Sequence, residues 1–442
     1  MIGSTAFAWA GGVSTLQRRG CVVIHDMDAP EACDSFARKR MQGEDTRAFF
    51  VVDLGVILRR IDEWRRELPN VHPHYAVKAC DDDIICDLMR MAGVSVDCSS
   101  LDEMKRCLRA GFDAGQILYA NPVKELHFLQ YAREHGINRV VFDSQDELAK
   151  MKLWHEDAEL VLRIHVDDTG SVCRLGTKFG AHAHELPAIF TSVHSLGLNL
   201  MGISFHVGSG ARSTAVFDAA IAAAKRACNL AAHYNIRITL LDIGGGFDAT
   251  CSTVTFADVA ATVRNALARD FPPELGVQVC AEPGRFLVSE SHTYYVNVIG
   301  KRVLSHASKG FAQLAHDASA AQFWGGGHDT HDEEQQRLDV ALYVNDGVYG
   351  CFNCVAFDHK VVQAEPILQD DSRAQKHAII YGPTCDSIDV VMPRTLLQDM
   401  KVAEWLKFRD MGAYTRVAAS HFNGQGNYHV LYVCTPVGDA DV

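Results

Sequence analysis

The chain of 442 residues has no apolar run that approaches the roughly 20 residues needed to cross a membrane as a helix. Its first twenty residues also lack the basic start and the apolar core of a secretory signal. They contain no acidic residue and end near Arg18 and Arg19, so an organelle transit peptide stays open as an alternative. These absences favour a cytoplasmic protein.

Runs of basic side chains are missing too. The chain carries 42 lysines and arginines against 55 aspartates and glutamates, a formal net charge of −13. This balance argues against nucleic acid or an anionic membrane as the main partner. The hydrophobic fraction of 48% and the charged fraction of 22% are typical of a globular protein, so a small-molecule substrate is the simpler expectation.

A compact cysteine framework is absent as well. The 14 cysteines are scattered along the chain, which in a protein of this size indicates reduced thiols in the cytosol. Cys351 and Cys354 have the C-x-x-C spacing of redox proteins. We predict that they lie in a strand rather than at a helix start, which argues against a redox function.

From Lys78 onward, short apolar runs alternate with amphipathic helical runs. We predict eight strands: His74–Ala79, Val94–Cys98, Ile117–Asn121, Arg139–Asp143, Leu160–Val166, Leu200–Val207, Ile238–Ile243 and Val277–Ala281. This pattern predicts an α/β fold, a (β/α)8 TIM-like barrel over residues 46–288. An open doubly wound sheet is the alternative, but no G-x-G-x-x-G motif follows the first strand.

Beyond residue 288 the helical pattern fades. We predict an all-β domain, Greek-key or β-barrel-like, formed by residues 289–442 and completed by an N-terminal strand within residues 1–45. Its predicted antiparallel strands are Thr293–Val298, Leu338–Val344, Cys354–Phe357, Ala378–Tyr381 and Tyr428–Val433. An insertion at about 304–337 contains a His/Asp-rich stretch from His328 to Asp332. We interpret it as a solvated loop and predict no metal site.

Every predicted barrel strand has a polar residue or a glycine at or near its carboxyl end. These ends carry Lys78, Asp97, Asn121, Asp143, Arg163, His206, Gly244–Gly246 and Glu282. The carboxyl ends of barrel strands form the active site in enzymes of this fold, so the eight ends define a candidate site. A single lysine such as Lys78 is more often a surface residue with a buried stem, but here it lies among the other seven ends.

Three glycine-containing turns follow these strands: His206–Gly210, Asp242–Phe247 and Glu282–Arg285. Glycines expose backbone N–H groups, and an arginine can bind two oxygens of a phosphate group. Each turn alone is weak evidence. Together with a strand-end lysine and a carboxylate they predict a site for pyridoxal 5'-phosphate, which needs a covalent lysine, a phosphate cradle and a partner for the ring nitrogen.

The same motifs, with Asp346–Gly350 and Gly382–Asp386, resemble the motif set of the eukaryotic ornithine decarboxylases, from about Ala48 to near the C-terminus. These enzymes belong to the alanine-racemase-like, fold-type III group of pyridoxal phosphate enzymes. The resemblance implies decarboxylation of L-ornithine to putrescine and carbon dioxide, the first step of polyamine biosynthesis. It also implies a homodimer whose active sites are shared between subunits, and antizyme as a possible partner.

The resemblance also implies roles for individual residues. It implies that Lys78 binds the cofactor covalently, that Glu282 contacts the ring nitrogen and that His206 stacks on the ring. The remaining implied cofactor contacts are Asp97, Arg163, Ser209, Gly245, Gly246, Pro283, Gly284, Arg285 and Tyr414. It implies that Phe357, Asp358 and Asp386 bind substrate, and that Cys385 of the partner subunit returns a proton.

Two departures from the family pattern concern substrate preference. Phe357 stands where these enzymes usually have tyrosine, and Ala79-Cys80 replaces Cys-Asn after the lysine. Decarboxylation of lysine, arginine or diaminopimelate therefore stays an alternative. A non-catalytic regulator that resembles antizyme inhibitor is a second alternative, for which we would expect lost cofactor residues.

Overall fold

The structure is a computed structural model and describes residues 17, 20–23, 28–251, 253–304 and 338–437. All but the first residue of the predicted 304–337 insertion, and most of the N-terminal segment considered as a transit peptide, lie outside these residues. The chain divides into two compact units, Leu58–Leu287 and the residues before and after it. The unit boundary thus falls at residue 58, whereas the sequence analysis began the barrel at residue 46.

The unit Leu58–Leu287 contains a closed barrel of eight parallel strands that follow one another around the barrel in chain order, which confirms the predicted fold. The strands are Val71–Ala76, Ser95–Cys98, Ile117–Tyr119, Arg139–Phe142, Glu159–Arg163, Asn199–Ser204, Leu240–Asp242 and Gln278–Ala281. A two-stranded antiparallel ribbon, Ser171–Cys173 with Ser209–Ala211, lies outside the barrel. The α-helices that begin in residues 54–285 are Leu54–Glu67, Asp83–Met91, Leu101–Arg109, Leu126–Glu134, Gln145–Trp154, Leu186–Leu196, Ala215–His233, Phe256–Asp270 and Arg285–Val288.

The barrel strands are short and buried almost throughout, as expected for parallel strands covered by helices. Side chains from several strands fill the barrel interior, including Leu118, Val141, Val161 and Leu240. This packed interior fixes the strand ends, and with them the functional side chains.

Two helices of the barrel begin with the sequence pattern of a capping box, Ser100 to Glu103 and Ser144 to Glu147, and the structure forms half of each box. Ser100 and Ser144 each accept the backbone N–H of the residue three positions on, as a helix cap should. The return contacts differ, because the Glu103 carboxylate accepts the N–H of Ser99, while Glu147 lies buried beside lysines.

The first barrel strand ends earlier than predicted. It spans Val71–Ala76 rather than His74–Ala79, and a 3-10 turn follows at Val77–Ala79. The hydroxyl of Tyr75 donates to the carbonyl of Cys80 at 2.7 Å and stabilises this turn. Lys78 consequently lies in a turn just beyond the strand.

The second unit contains a nine-stranded sheet. Its strands are Val22–Val23, Ala48–Asp53, His292–Val303, Val340–Val344, Glu365–Pro366, Gln375–Tyr381, Val390–Gln398, Trp405–Phe408 and Tyr428–Cys434. Its other helices are Ala29–Met41 and Asn353–Phe357. Val22–Val23 pairs with Val433–Cys434, so an N-terminal strand completes the sheet as predicted.

Two predictions for this sheet are wrong. The sheet is mixed rather than antiparallel, since Tyr428–Cys434 pairs in parallel with Ala48–Asp53, and Val340–Val344 in parallel with Gln375–Tyr381. The predicted strand Cys354–Phe357 is a short helix, Asn353–Phe357. A short apolar run has no periodicity that separates a buried strand from a buried helix turn.

The C-x-x-C pair therefore enters a helix and does not lie in a strand. Both thiols are buried. Burial raises the pKa of Cys354 to about 12 and that of Cys351 well above its usual value, so neither is a reactive thiolate near neutral pH.

Among the described helices, none is long and apolar enough to cross a membrane.

Candidate active site

Lys78 lies against a buried carboxylate at the carboxyl end of the barrel. Its ammonium forms an ion pair with Asp97, which sits on the second strand and is fully buried. The Lys78 side chain itself is 37% exposed, so its amine is held in place and still open to an incoming ligand. The other oxygen of Asp97 has no hydrogen-bond partner among the described residues.

Two carboxyl groups from neighbouring strands form an acid pair. Burial raises the pKa of Asp242 to about 7, and one of its oxygens accepts the N–H of Gly244 at 2.9 Å. Burial also raises the pKa of Glu282, and the nearby charge of Asp242 raises it further. Two adjacent buried carboxyls cannot both ionise readily, so the pair retains a proton near neutral pH.

Two further strand-end side chains face this pair. Burial lowers the pKa of the Arg163 guanidinium, an effect that the carboxylates of Glu282 and Asp143 oppose. The pKa of His206 lies well below its usual value because of burial, then because of Arg163 and Lys78. The imidazole is therefore neutral, and its Nδ1 accepts the N–H of Gly208 at 3.0 Å, which places the ring proton on Nε2.

The glycine turns leave room that a side chain would fill. Gly244 and Gly246 have φ values of +63° and +109°, which favour glycine. A Cβ atom on Gly245 would lie 2.7 Å from Nε2 of His206. Beside this turn Arg285 donates to the hydroxyl of Ser209 at 3.0 Å. The turn and the arginine make a cradle suited to a phosphate group.

The residues of this barrel end fit pyridoxal phosphate. The orphaned oxygen of Asp97 and the proton-bearing acid pair provide polar partners for a polar ring. The cradle at Gly244–Gly246, Ser209 and Arg285 suits its phosphate, and Lys78 suits a covalent bond to its aldehyde.

The second unit carries its own group of functional candidates. The phenol of Tyr349 donates to the carboxylate of Asp386 at 2.5 Å, and this hydrogen bond lowers the pKa of Asp386. The backbone N–H of Cys385 donates to the side chain of Asn423 at 3.4 Å, and the Cys385 residue is exposed. The ring of Tyr349 packs on Phe422 with 4.4 Å between ring centroids. The group is therefore ordered by polar and aromatic contacts.

Comparison with known proteins decides the family. Residues 54–289 match the pyridoxal binding domain of the pyridoxal-dependent decarboxylases. The chain belongs to this family. It is 38% identical to an ornithine decarboxylase of Neurospora crassa over 411 residues, which cover 89% of this chain and 82% of the relative.

Two other relatives are informative about this decarboxylase. The solved arginine decarboxylase of Paramecium bursaria Chlorella virus superposes with a TM-score of 0.80 at 30% identity, over 90% of this chain and 100% of that one. Antizyme inhibitor 2 of Xenopus laevis is 36% identical over 387 residues, 87% of this chain and 80% of the relative. Pyridoxal phosphate is the cofactor of the family, as the sequence analysis predicted.

Sequence reasoning left two carboxylates of the decarboxylase without a role. Asp242 was quoted only as part of a motif, although its place at a strand end could have singled it out. Glu103, three residues after the cap residue Ser100, can be explained from the sequence as part of a helix cap. Burial raises the pKa of Glu103, the charge of Asp97 raises it further and the charge of Lys78 lowers it, so Glu103 belongs to the same electrostatic group.

The family resemblance also implies an ion pair between Asp389 and Lys178 of two subunits, which stays a prediction. Within its own unit the carboxylate of Asp389 accepts the N–H of Val348 at 2.8 Å and both the N–H and the hydroxyl of Thr384, at 3.0 and 2.6 Å. A Cβ atom on Gly347 or Gly382 would collide with it. Asp389 thus ties the Asp346–Gly350 and Gly382–Asp386 turns together.

The remaining predicted residues lie elsewhere in this second unit. Phe357 ends its short helix and is 71% exposed, and Asp358 follows it. Tyr414 has a φ of +55°, an uncommon conformation for a residue with a side chain. Their roles toward substrate and cofactor stay predictions.

Proposed function

We propose that the protein is an ornithine decarboxylase, which removes the α-carboxyl group of L-ornithine as carbon dioxide and releases putrescine. The observation that carries this proposal is the Lys78–Asp97 pair beside the Asp242–Glu282 acid pair, within a chain that is 38% identical to an ornithine decarboxylase. Both features suit an enzyme that uses pyridoxal phosphate. The reaction is the first step of polyamine biosynthesis.

The barrel residues have distinct roles in this proposal. Bound pyridoxal phosphate supplies a protonated ring that accepts the electron pair left behind when carbon dioxide departs. Asp97 orients the amine of Lys78 for covalent attachment. Glu282 and Asp242 would supply a proton to the ring nitrogen, and neutral His206 would offer a flat face to the ring. Ser209, Gly245, Gly246, Pro283, Gly284, Arg285 and Tyr414 hold the cofactor, with Arg163 beside the acid pair.

In this proposal, residues of the second unit bind the substrate. Asp386 is ionised at neutral pH, because its hydrogen bond from Tyr349 lowers its pKa, and it receives the distal ammonium of ornithine. Asp358 is the second carboxylate for this ammonium, and Phe357 lies beside it. Cys385 returns a proton to the α-carbon from its exposed position.

We further propose a homodimer in the cytoplasm, in which Cys385 of one subunit serves the Lys78 of the other. None of the 14 cysteines, all of which lie within the described residues, forms a disulfide, which supports a reducing compartment. The dimer rests on the family resemblance, as does antizyme as a possible partner.

A second candidate function has a specific observation in its favour, the 36% identity to an antizyme inhibitor. A regulator of this kind has no need of a catalytic lysine. The Lys78–Asp97 pair, the acid pair and the cradle are all present here, which favours the enzyme.

Carbon dioxide release tests the proposal. We would incubate the purified protein with pyridoxal phosphate and, separately, with ornithine, lysine, arginine or diaminopimelate. We expect the largest kcat/KM for ornithine. If the protein binds the cofactor but prefers arginine or lysine, the family assignment stands and the proposed substrate is wrong. A protein that binds no cofactor and releases no carbon dioxide would favour the regulator.

A further inference from the structure

A second cavity lies at the amino ends of the barrel strands, opposite the end that holds Lys78. Its volume is about 450 Å³. Its polar lining consists of Arg65, Asn70, His72, His74, Arg139 and Gln278. Arg139 and Gln278 are the first residues of their strands, which places the cavity at the amino-terminal mouth of the barrel.

The lining carries positive charge and no negative charge. Arg65 and Arg139 both contribute, and among the described residues that line the cavity none is acidic. Each arginine has one nearby carboxylate outside the lining, Asp62 at 3.8 Å from Arg65 and Glu159 at 3.5 Å from Arg139. Arg65 also donates to the backbone carbonyl of Ala92. The two carboxylate distances are too long for good hydrogen bonds, so each guanidinium group keeps N–H donors for another acceptor.

Two buried polar atoms of the lining have no hydrogen-bond partner among the described residues. They are Nδ1 of His74, a residue that is only 3% exposed, and Nε of Arg139, which lies 3.5 Å from the carboxylate of Glu159 without forming a hydrogen bond to it. Buried polar atoms are nearly always paired, because an unpaired one loses its hydration without compensation. The unpaired Nδ1 of His74, together with the two arginines of the lining, therefore indicates that the cavity takes a ligand with acceptor oxygens.

The histidines face this ligand as neutral donors. The pKa of His74 is lowered to about 3 by burial, then by His72 and Arg139. The pKa of His72 is lowered by burial, and the positive charges of Arg65 and Arg139 lower it further. Nε2 of His72 lies 2.8 Å from the hydroxyl oxygen of Ser95. A neutral imidazole still has one N–H to donate.

We propose that this cavity binds a small oxyanion, a molecule with a phosphate or carboxylate group, between Arg65, Arg139 and His74. Arginine binds both groups through paired N–H donors. The volume lies in the range of roughly 300–1,000 Å³ that is usual for metabolite pockets. The site is separate from the phosphate cradle of Ser209 and Arg285, since it opens at the other end of the barrel.

Calorimetric titration of the cofactor-loaded protein tests this site, because bound pyridoxal phosphate blocks the catalytic cradle. The probes are inorganic phosphate and citrate at constant ionic strength, with chloride as the reference anion. We expect saturable binding of at least one probe. Arg139→Gln should weaken it by about ten-fold or more, as expected for a lost charge-assisted hydrogen bond.

Two further variants guard against a folding defect. Arg65→Gln removes a rim arginine whose side chain is 41% exposed, and we expect it to weaken binding too. Arg133 is an exposed arginine on the helix Leu126–Glu134 and does not line the cavity. The control variant Arg133→Gln should therefore bind the probe as the wild type does.

Binding of phosphate but not citrate would show that the site takes a phosphorylated ligand. Binding of citrate but not phosphate would show that it takes a carboxylate. Binding of neither probe, or equal affinity in Arg65→Gln, Arg139→Gln and the wild type, would overturn the proposal. These outcomes are independent of decarboxylation.

Discussion

Asp386→Asn tests how the substrate's distal ammonium is held. The carboxylate of Asp386 accepts the phenol of Tyr349 at 2.5 Å and the backbone N–H of Ile388 at 3.1 Å. The substitution keeps the size of the side chain and removes its charge. A charge-assisted hydrogen bond is worth about 1.5–3 kcal/mol. We therefore expect kcat/KM for ornithine to fall by roughly 10- to 150-fold.

The assay is carbon dioxide release at saturating cofactor, with the absorbance of the bound cofactor recorded for each variant. Cofactor binding should be unchanged, because Asp386 is assigned to the substrate alone. Tyr349→Phe removes the supporting hydroxyl but keeps the charge, so its effect should be smaller. Asp371→Asn, a change of an exposed aspartate in the same unit, is the matched control and should have no effect.

The reasoning would be refuted if Asp386→Asn retained kcat/KM within about two-fold of the wild type, well below the expected loss. If Asp358→Asn then lost activity, Asp358 alone would be the receptor of the ammonium. A loss of cofactor in Asp386→Asn would instead show that the residue supports the barrel site.

Three other predictions follow. Lys78→Ala should lose the covalent cofactor, and peptide mapping after borohydride reduction should place the wild-type label on Lys78; a label on another lysine would contradict this. Subunits carrying Lys78→Ala mixed with subunits carrying Cys385→Ala should regain roughly a quarter of wild-type activity, since about half the dimers are mixed and each holds one intact site. No recovery despite confirmed subunit exchange would exclude a shared site. Lys124→Met should lower the free energy of unfolding by about 3 kcal/mol because it removes a partner of the buried carboxylate of Glu147, whereas Lys152→Met, in an exposed pair, should cost under about 1 kcal/mol. Equal urea midpoints for these two variants would contradict the assigned burial.

The barrel could be predicted because its strands have a recognisable apolar sequence pattern. In the strand Arg139–Phe142 the residues Val140–Phe142 are buried on both faces, so they form an uninterrupted apolar run bounded by polar residues. The predicted strand ends therefore coincide with the candidate site. The exact end of the first strand was missed, since the Tyr75 hydrogen bond that turns the chain at Val77 joins residues that periodicity does not relate.

The second unit was less predictable. Its parallel pairings join segments far apart in the chain, such as Ala48–Asp53 and Tyr428–Cys434, and no local pattern records them. The strand Val390–Gln398 was missed because Pro393 and Arg394 interrupt its apolar character.

Within the site, the individual residues were easier to predict than the effect that neighbouring residues have on each other's protonation. Lys78 and Glu282 were recognised by position and motif. The proton held between Asp242 and Glu282 depends on burial and on the distance between two strands, which a sequence does not contain. Glu103 was set aside because its helix-cap role explained it fully at the level of sequence.

The most direct test of the account is the stoichiometry of the reaction with ornithine. The cofactor-loaded wild-type protein should convert ornithine to putrescine and carbon dioxide in equal amounts, and Lys78→Ala, prepared in the same way, should form neither. Putrescine formation that persisted in Lys78→Ala would contradict the role of Lys78. A wild-type protein that holds pyridoxal phosphate and yet leaves all the basic amino acids unchanged would contradict the proposed function itself.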